Sequence, residues 1–159
     1  MTSYECQQRI HELIREEIDL SDQLREALQK EYQVLSTNDD ESIQRITDHK
    51  QQIIGSLESL NRQRETELDK AGYQGNKFGM NAFINQCGET FIRDWQNLIE
   101  VISECNRQNE INGIIINASS RHTALALSLL KGQQGEDNPR YGASGKSLGN
   151  TYSNPLAKA

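Results

Sequence analysis

Two short stretches and three cysteines in this sequence have the residue types to do chemistry. YGASGKS, from Tyr141 to Ser147, ends in Gly-Lys-Ser like a loop that cradles phosphates in its backbone amides. Such a loop also needs a glycine five residues before its second glycine, with a strand before and a helix after. That position is Arg140. HELIR, opening at His11, begins like a zinc-protease helix, in which two histidines four residues apart hold the metal and the glutamate acts as base. Arg15 stands where the second histidine belongs, and His49 and His122 have no histidine or cysteine at ligand spacing. Cys6, Cys87 and Cys105 are odd in number and show no paired spacing, as befits reduced thiols.

Nucleophilic catalysis needs a thiol or hydroxyl held beside a base by a third group, and regular helices present no strained turn to hold one. Cys105 falls in an apolar seam and reads as a small hydrophobe. Cys6 lies near a fraying terminus and Cys87 near a loop. The neighbouring acids Glu16 and Glu17, or Asp39 and Asp40, read as a solvated face and a helix start. The expectation is a protein with no catalytic residue, metal or cofactor, one that works by binding.

The elements behind these residues are helical. Only 35% of the 159 residues are apolar and 25% are charged, which predicts a thin, long core between elongated helices. From Tyr4 to Leu35, the residues Ile10, Leu13, Ile14, Leu20, Leu24, Ala27, Leu28, Val34 and Leu35 recur mostly in steps of three and four, one stripe of an amphipathic helix. STNDDES interrupts it, with Asn38 or Asp39 as N-cap for a second helix from about Asp40 to Ala71. That helix has Ile43, Ile46, Lys50, Ile53, Leu57, Leu60 and Arg64 on its seam, and the expectation is that Lys50 and Arg64 run their stems along it while keeping their charges wet. Glycines in AGYQGNKFG supply a turn. MNAFINQC forms either a short helix or the first turns of a longer one, whose seam runs from Phe91 through Trp95, Leu98, Ile102, Cys105, Asn109, Asn112 and Ile116 to Leu130. Gly113 is a place for that helix to bend or break.

The fold class is therefore all-α: an elongated antiparallel hairpin or bundle of three to four helices with coiled-coil-like packing. Residues 1–131 form a helical domain and residues 132–159 a flexible tail, since the tail holds five glycines, both prolines and few apolar residues. The net charge of −6 sits in the body, with no basic stripe, so nucleic acid is not an expected partner. No run of 18 apolar residues is present and the first residues have no signal-peptide pattern, which predicts a cytoplasmic protein without membrane insertion.

The last helix has more apolar surface than one seam can use. Beside Ile116, Leu127 and Leu130, a second row of Ile111, Ile115, Ala118, His122, Leu125 and Leu129 steps by four and three, and Ile114 and Ala126 widen it. Such a helix is either central in its own bundle, flanked by the other two, or reserved for a partner's amphipathic helix.

NGIIINASSRHTALALSLLKGQ followed by YGASGKS resembles the C-terminal signature of the FlgN family of flagellar type III export chaperones, through Asn112, Gly113, Arg121, Leu130, Tyr141, Gly142, Ala143 and Gly145. The resemblance implies a nonenzymatic chaperone that binds the amphipathic C-terminal segments of the hook-filament junction proteins FlgK and FlgL. It would keep them from premature assembly and deliver them to the export gate. Cargo binding then falls on Ile111, Ile114, Ile115, Ala118, Leu125 and Leu129. Docking to the gate protein FlhA falls on Tyr141, with Gly142 and Gly145 giving the backbone a close approach. Two other classes stay open: a coiled-coil scaffold that dimerises through the long seams, and a nucleotide-dependent enzyme that uses Gly-Lys-Ser.

Overall fold

Asp39 decides where the first hairpin restarts. Its carboxylate accepts the backbone N–H of Ser42 at 3.2 Å and pairs with the Ser42 hydroxyl, satisfying donors that a new helix leaves open. The hydrogen bonds from Ser42 hold the Asp39 carboxyl below its ordinary range. The preceding helix, α1 (Ser3–Leu35), ends just before this turn, and α2 (Asp40–Lys70) returns along it. The computed structural model describes residues 3–132, in which four helices occur and no strand.

α2 ends at a turn where Gly72 takes φ 85°, a left-handed conformation that costs glycine nothing. The short α3 (Lys77–Ile84) follows, capped by the Asn76 side chain on the Gly79 N–H at 2.9 Å. A Cβ on Gly79 would lie 2.0 Å from the Gln74 carbonyl oxygen, so only glycine lets the turn fold this closely onto the helix. Expected as a short helix or as the first turns of a longer one, this segment is a helix of its own. α4 (Glu89–Gly132) is unbroken over 44 residues, about 66 Å, and Gly113 lies inside it without interrupting it.

Both long neighbours pack on α1, which makes α1 and not α4 the central helix. Ile10, Leu13, Ile14, Leu24 and Leu28 are buried completely or nearly so, each contributing about 1.5–3 kcal/mol relative to exposure. The core has two apolar clusters. One joins Cys6, Ile10 and Ile14 to Leu68, α3 and Phe91, Trp95 and Leu98; the other joins Leu24, Ala27 and Leu28 to Ile53, Leu57, Val101 and Cys105. Cys6 is thus a core residue and no part of a fraying end, because α3 and the turn before it close over the start of α1.

The expectation of wet charges on Lys50 and Arg64 is corrected by the packing. Both are buried, and each meets an acid of α1: Arg64 Nε donates to Glu17 Oε2 at 2.8 Å, and Lys50 Nζ donates to Glu31 at 2.9 Å. A buried cation without a partner would cost several kcal/mol, on the order of the penalty for any desolvated ion, so seam positions that carry charge require charges opposite. The domain boundary expected at 131 falls at the end of α4, and the tail lies outside the described residues.

Candidate functional site

α1 and α4 run in the same direction, and three contacts fix how far α1 accompanies its neighbour. Arg25 pairs with Glu104 at 2.9 Å, the Cys105 thiol donates to the Ser21 carbonyl at 3.5 Å, and the Asn112 amide donates to the Leu28 carbonyl and to Glu31, both at 2.9 Å. With that register, Leu35 at the end of α1 comes level with about position 118 of α4. The stretch from 119 to 132 therefore extends about 21 Å past the hairpin.

The sequence-derived cargo residues lie at this overhang and its root. Ile114, Leu125 and Leu129 are 68%, 66% and 71% exposed, Ile111 is 39% exposed, Ala118 is exposed and Ile115 half-buried. They occupy steps of three, four and seven along one helix, so the structure brings them together as one stripe. Arg121, which carries part of the family-like signature, is exposed on the same stretch. Residues 111–132 hold Arg121 and Lys131 and no acid, whereas residues 1–110 carry 12 basic and 21 acidic residues. The overhang is an apolar, cationic projection from an anionic body. Tyr141, Gly142 and Gly145 lie outside the described residues.

A second feature was not legible beforehand. α2 and α4 both lean on α1 but barely touch one another, leaving a groove of about 390 Å³ flanked by Ile54 and Leu57 on one side and Trp95, Leu98, Ile99 and Ile102 on the other. One buried cation reaches across it, the Arg64 guanidinium 5.0 Å above the Trp95 ring, and beyond its end Lys50 Nζ lies 3.4 Å from Asn109 Oδ1. Burial pushes the Glu17 carboxyl on its floor up, by more than Arg64 beside it pulls it down. One sequence signal pointed here: Glu17 and Glu31 on α1 are 14 residues apart, as are Lys50 and Arg64 on α2.

None of these groups forms a reaction centre. Among the described residues no three of His, Cys, Asp and Glu come together as a metal site. Burial pushes the Cys105 thiol up to about 11, which makes it a poor nucleophile. His11 is bound to Asp94 at 2.8 Å and stacks on Phe91 at 4.7 Å, so it serves as a tie between α1 and α4 and not as a free imidazole. No described helix is long and apolar enough to cross a membrane.

The FlgN protein family matches this chain over residues 1–149, all four helices and the segment beyond them. The chain belongs to the FlgN family. Membership places it among flagellar synthesis chaperones, in keeping with the exposed apolar row on α4. A crystal structure described as a flagella synthesis protein FlgN from Pseudomonas aeruginosa superposes with a TM-score of 0.59 at 24% identity, covering 73% of this chain and 92% of that one. At that identity the likeness is one of fold. No curated relative matches the chain. Within the FlgN fold, then, α1 sets the length of the packed body, and the surplus of α4 is what projects.

Proposed function

We propose that this FlgN-family chain is a cytoplasmic export chaperone for the hook-filament junction proteins FlgK and FlgL, holding their amphipathic C-terminal segments and passing them to the export gate protein FlhA. The observation that carries the reading is the exposed row Ile111, Ile114, Leu125 and Leu129 on a helix that has outrun its bundle. A helix surrounded by water does not keep such a row without a partner, and an amphipathic cargo helix laid along it hides the apolar faces of both. Burial on the order of 1,600 Å² in total would give affinities anywhere from micromolar to nanomolar, since ordering both segments offsets much of the gain.

The test is co-purification of FlgK and FlgL with the full chain and with a Leu125→Glu, Leu129→Glu variant. Capture by the first and loss in the second, at unchanged helix content by circular dichroism, is the expected result. Equal capture by both proteins removes this stripe as the cargo site. Tyr141→Ala separates the second step: cargo capture stays, and FlhA binding and secretion fall. A loss of cargo capture would instead assign the tyrosine to cargo.

A further inference from the structure

The α2–α4 groove is an open trough of about 390 Å³ with apolar walls, and the chain itself carries a helix whose apolar face can lie along it. We propose that two copies of the free protein pair with their α4 helices antiparallel, each overhang lying in the other's groove. The inference goes beyond the chaperone reading, because it says what covers the overhang before cargo does.

Three observations converge on a second copy as the occupant. The first is length. The groove runs from Ile54 to Glu65 along α2, about 16 Å, beside Trp95 to Ile102 of α4, and the overhang from 119 to 132 offers about 21 Å of helix. The second is charge. The overhang has Arg121 and Lys131 and no acid, while the α2 rim of the groove presents Glu58 and Glu65 on a strongly anionic body. Glu58 is held only by Arg62 at 4.0 Å and Glu65 only by the Asn61 amide at 3.0 Å, so both carboxylates are available to a cation from outside.

Register is the third. Arg64 lies level with Trp95 and Lys50 with Asn109, which puts Glu58 and Glu65 level with about positions 101 and 94 of α4. When the overhang of a second copy is centred on the groove, its Arg121 comes level with about position 103, near the level of Glu58. The two-fold axis then passes near the level of Asn112, and the same operation carries the first overhang into the second groove. The pairing closes as a dimer and cannot continue into a filament. An apolar helix of 14 residues is marginal alone in water, which gives each copy a reason to find the other.

Sedimentation velocity of the full chain over a range of concentrations tests this. The expected result is a reversible dimer that weakens as salt is raised. Arg121→Glu, a change on the exposed overhang that leaves the body intact, is expected to weaken it by about tenfold or more, as is Glu58→Lys with Glu65→Lys. Combining the two sets restores the dimer, because the charges are exchanged across the same contact. A protein that stays monomeric to several hundred micromolar overturns the proposal. So does a dimer that none of these substitutions changes, or one that the combined set does not restore. Cargo capture is measured on the same variants: a charge variant that captures cargo as a monomer leaves the chaperone reading intact and bears on the dimer alone, whereas failed capture beside an intact dimer counts against the chaperone reading alone.

Discussion

Lys50 Nζ lies 2.9 Å from one carboxylate oxygen of Glu31 and 3.0 Å from the other, and neither side chain reaches water appreciably. Glu31 also accepts from Asn112 at 2.9 Å, so one acid of α1 holds α2 and α4 together. Arg64 repeats the device at Glu17, with Trp95 of α4 beneath its guanidinium. Two polar layers thus join the three long helices in a bundle whose outer helices scarcely touch.

Removing one partner of the Lys50–Glu31 pair strands the other in the core. Glu31→Ala is expected to lose about 3–5 kcal/mol of stability in urea unfolding, whereas Glu31→Met with Lys50→Met, which strands no charge and leaves one Asn112 N–H without its acceptor, is expected to lose no more than about 1–3 kcal/mol. A single substitution as mild as the double one would show that water reaches the pair.

Asn112 is the last buried residue of α4 before the overhang, donating to Leu28 and Glu31 and accepting from Gln108 at 2.9 Å. Asn112→Leu leaves Glu31 short of a donor and is expected to cost about 1–3 kcal/mol. Amide hydrogen exchange around position 112 of α4 should quicken in the variant while the Phe91 to Leu98 segment keeps its protection. Unchanged exchange around 112 would show that α4 is fixed by apolar packing alone.

Acid should loosen the tie between α1 and α4 at Asp94. Burial pushes this carboxyl up, but the hydrogen bonds and charges of His11 and Arg15 together outweigh it and hold it below the ordinary carboxylate range. With the folded value below the unfolded one of about 3.9, the contribution is fully present above that pH and disappears as pH falls through the folded value. Stability curves of the parent and of Asp94→Asn should therefore differ at neutral pH and converge in strong acid. Parallel curves down to pH 2 would assign the acid sensitivity to other groups.

Thiol labelling reports the core. Cys105 is buried, its thiol pushed up to about 11, so at pH 8 only about one in a thousand is thiolate. The half-buried Cys87 is expected to react first with an aromatic disulfide reagent, and Cys105 only at the rate of unfolding. Rapid labelling of Cys105 in native protein would mean that α1 and α4 separate locally.

The sequence by itself determined the helices and the turns between them. Stripes of apolar residues at three and four residue spacing, an Asx cap at Asp39 and a glycine at 72 act within a few residues of themselves, so α1 and α2 could be read to within a residue or so at either end. The surplus apolar row from Ile111 to Leu129 was legible for the same reason, since it is a property of one helix. Tertiary structure alone decided what those rows meet. That Cys6 belongs to the core, that Lys50 and Arg64 are dry, and that α1 occupies the centre all depend on contacts between residues 19 to 84 positions apart or on helices closing over one another, which no local pattern encodes. Register is the clearest case. Asn112 reaching Leu28 places the end of α1 beside position 118, and that alignment turns the rest of α4 from a bundle helix into a projecting one, because a helix can bury its apolar face only where another chain segment runs beside it.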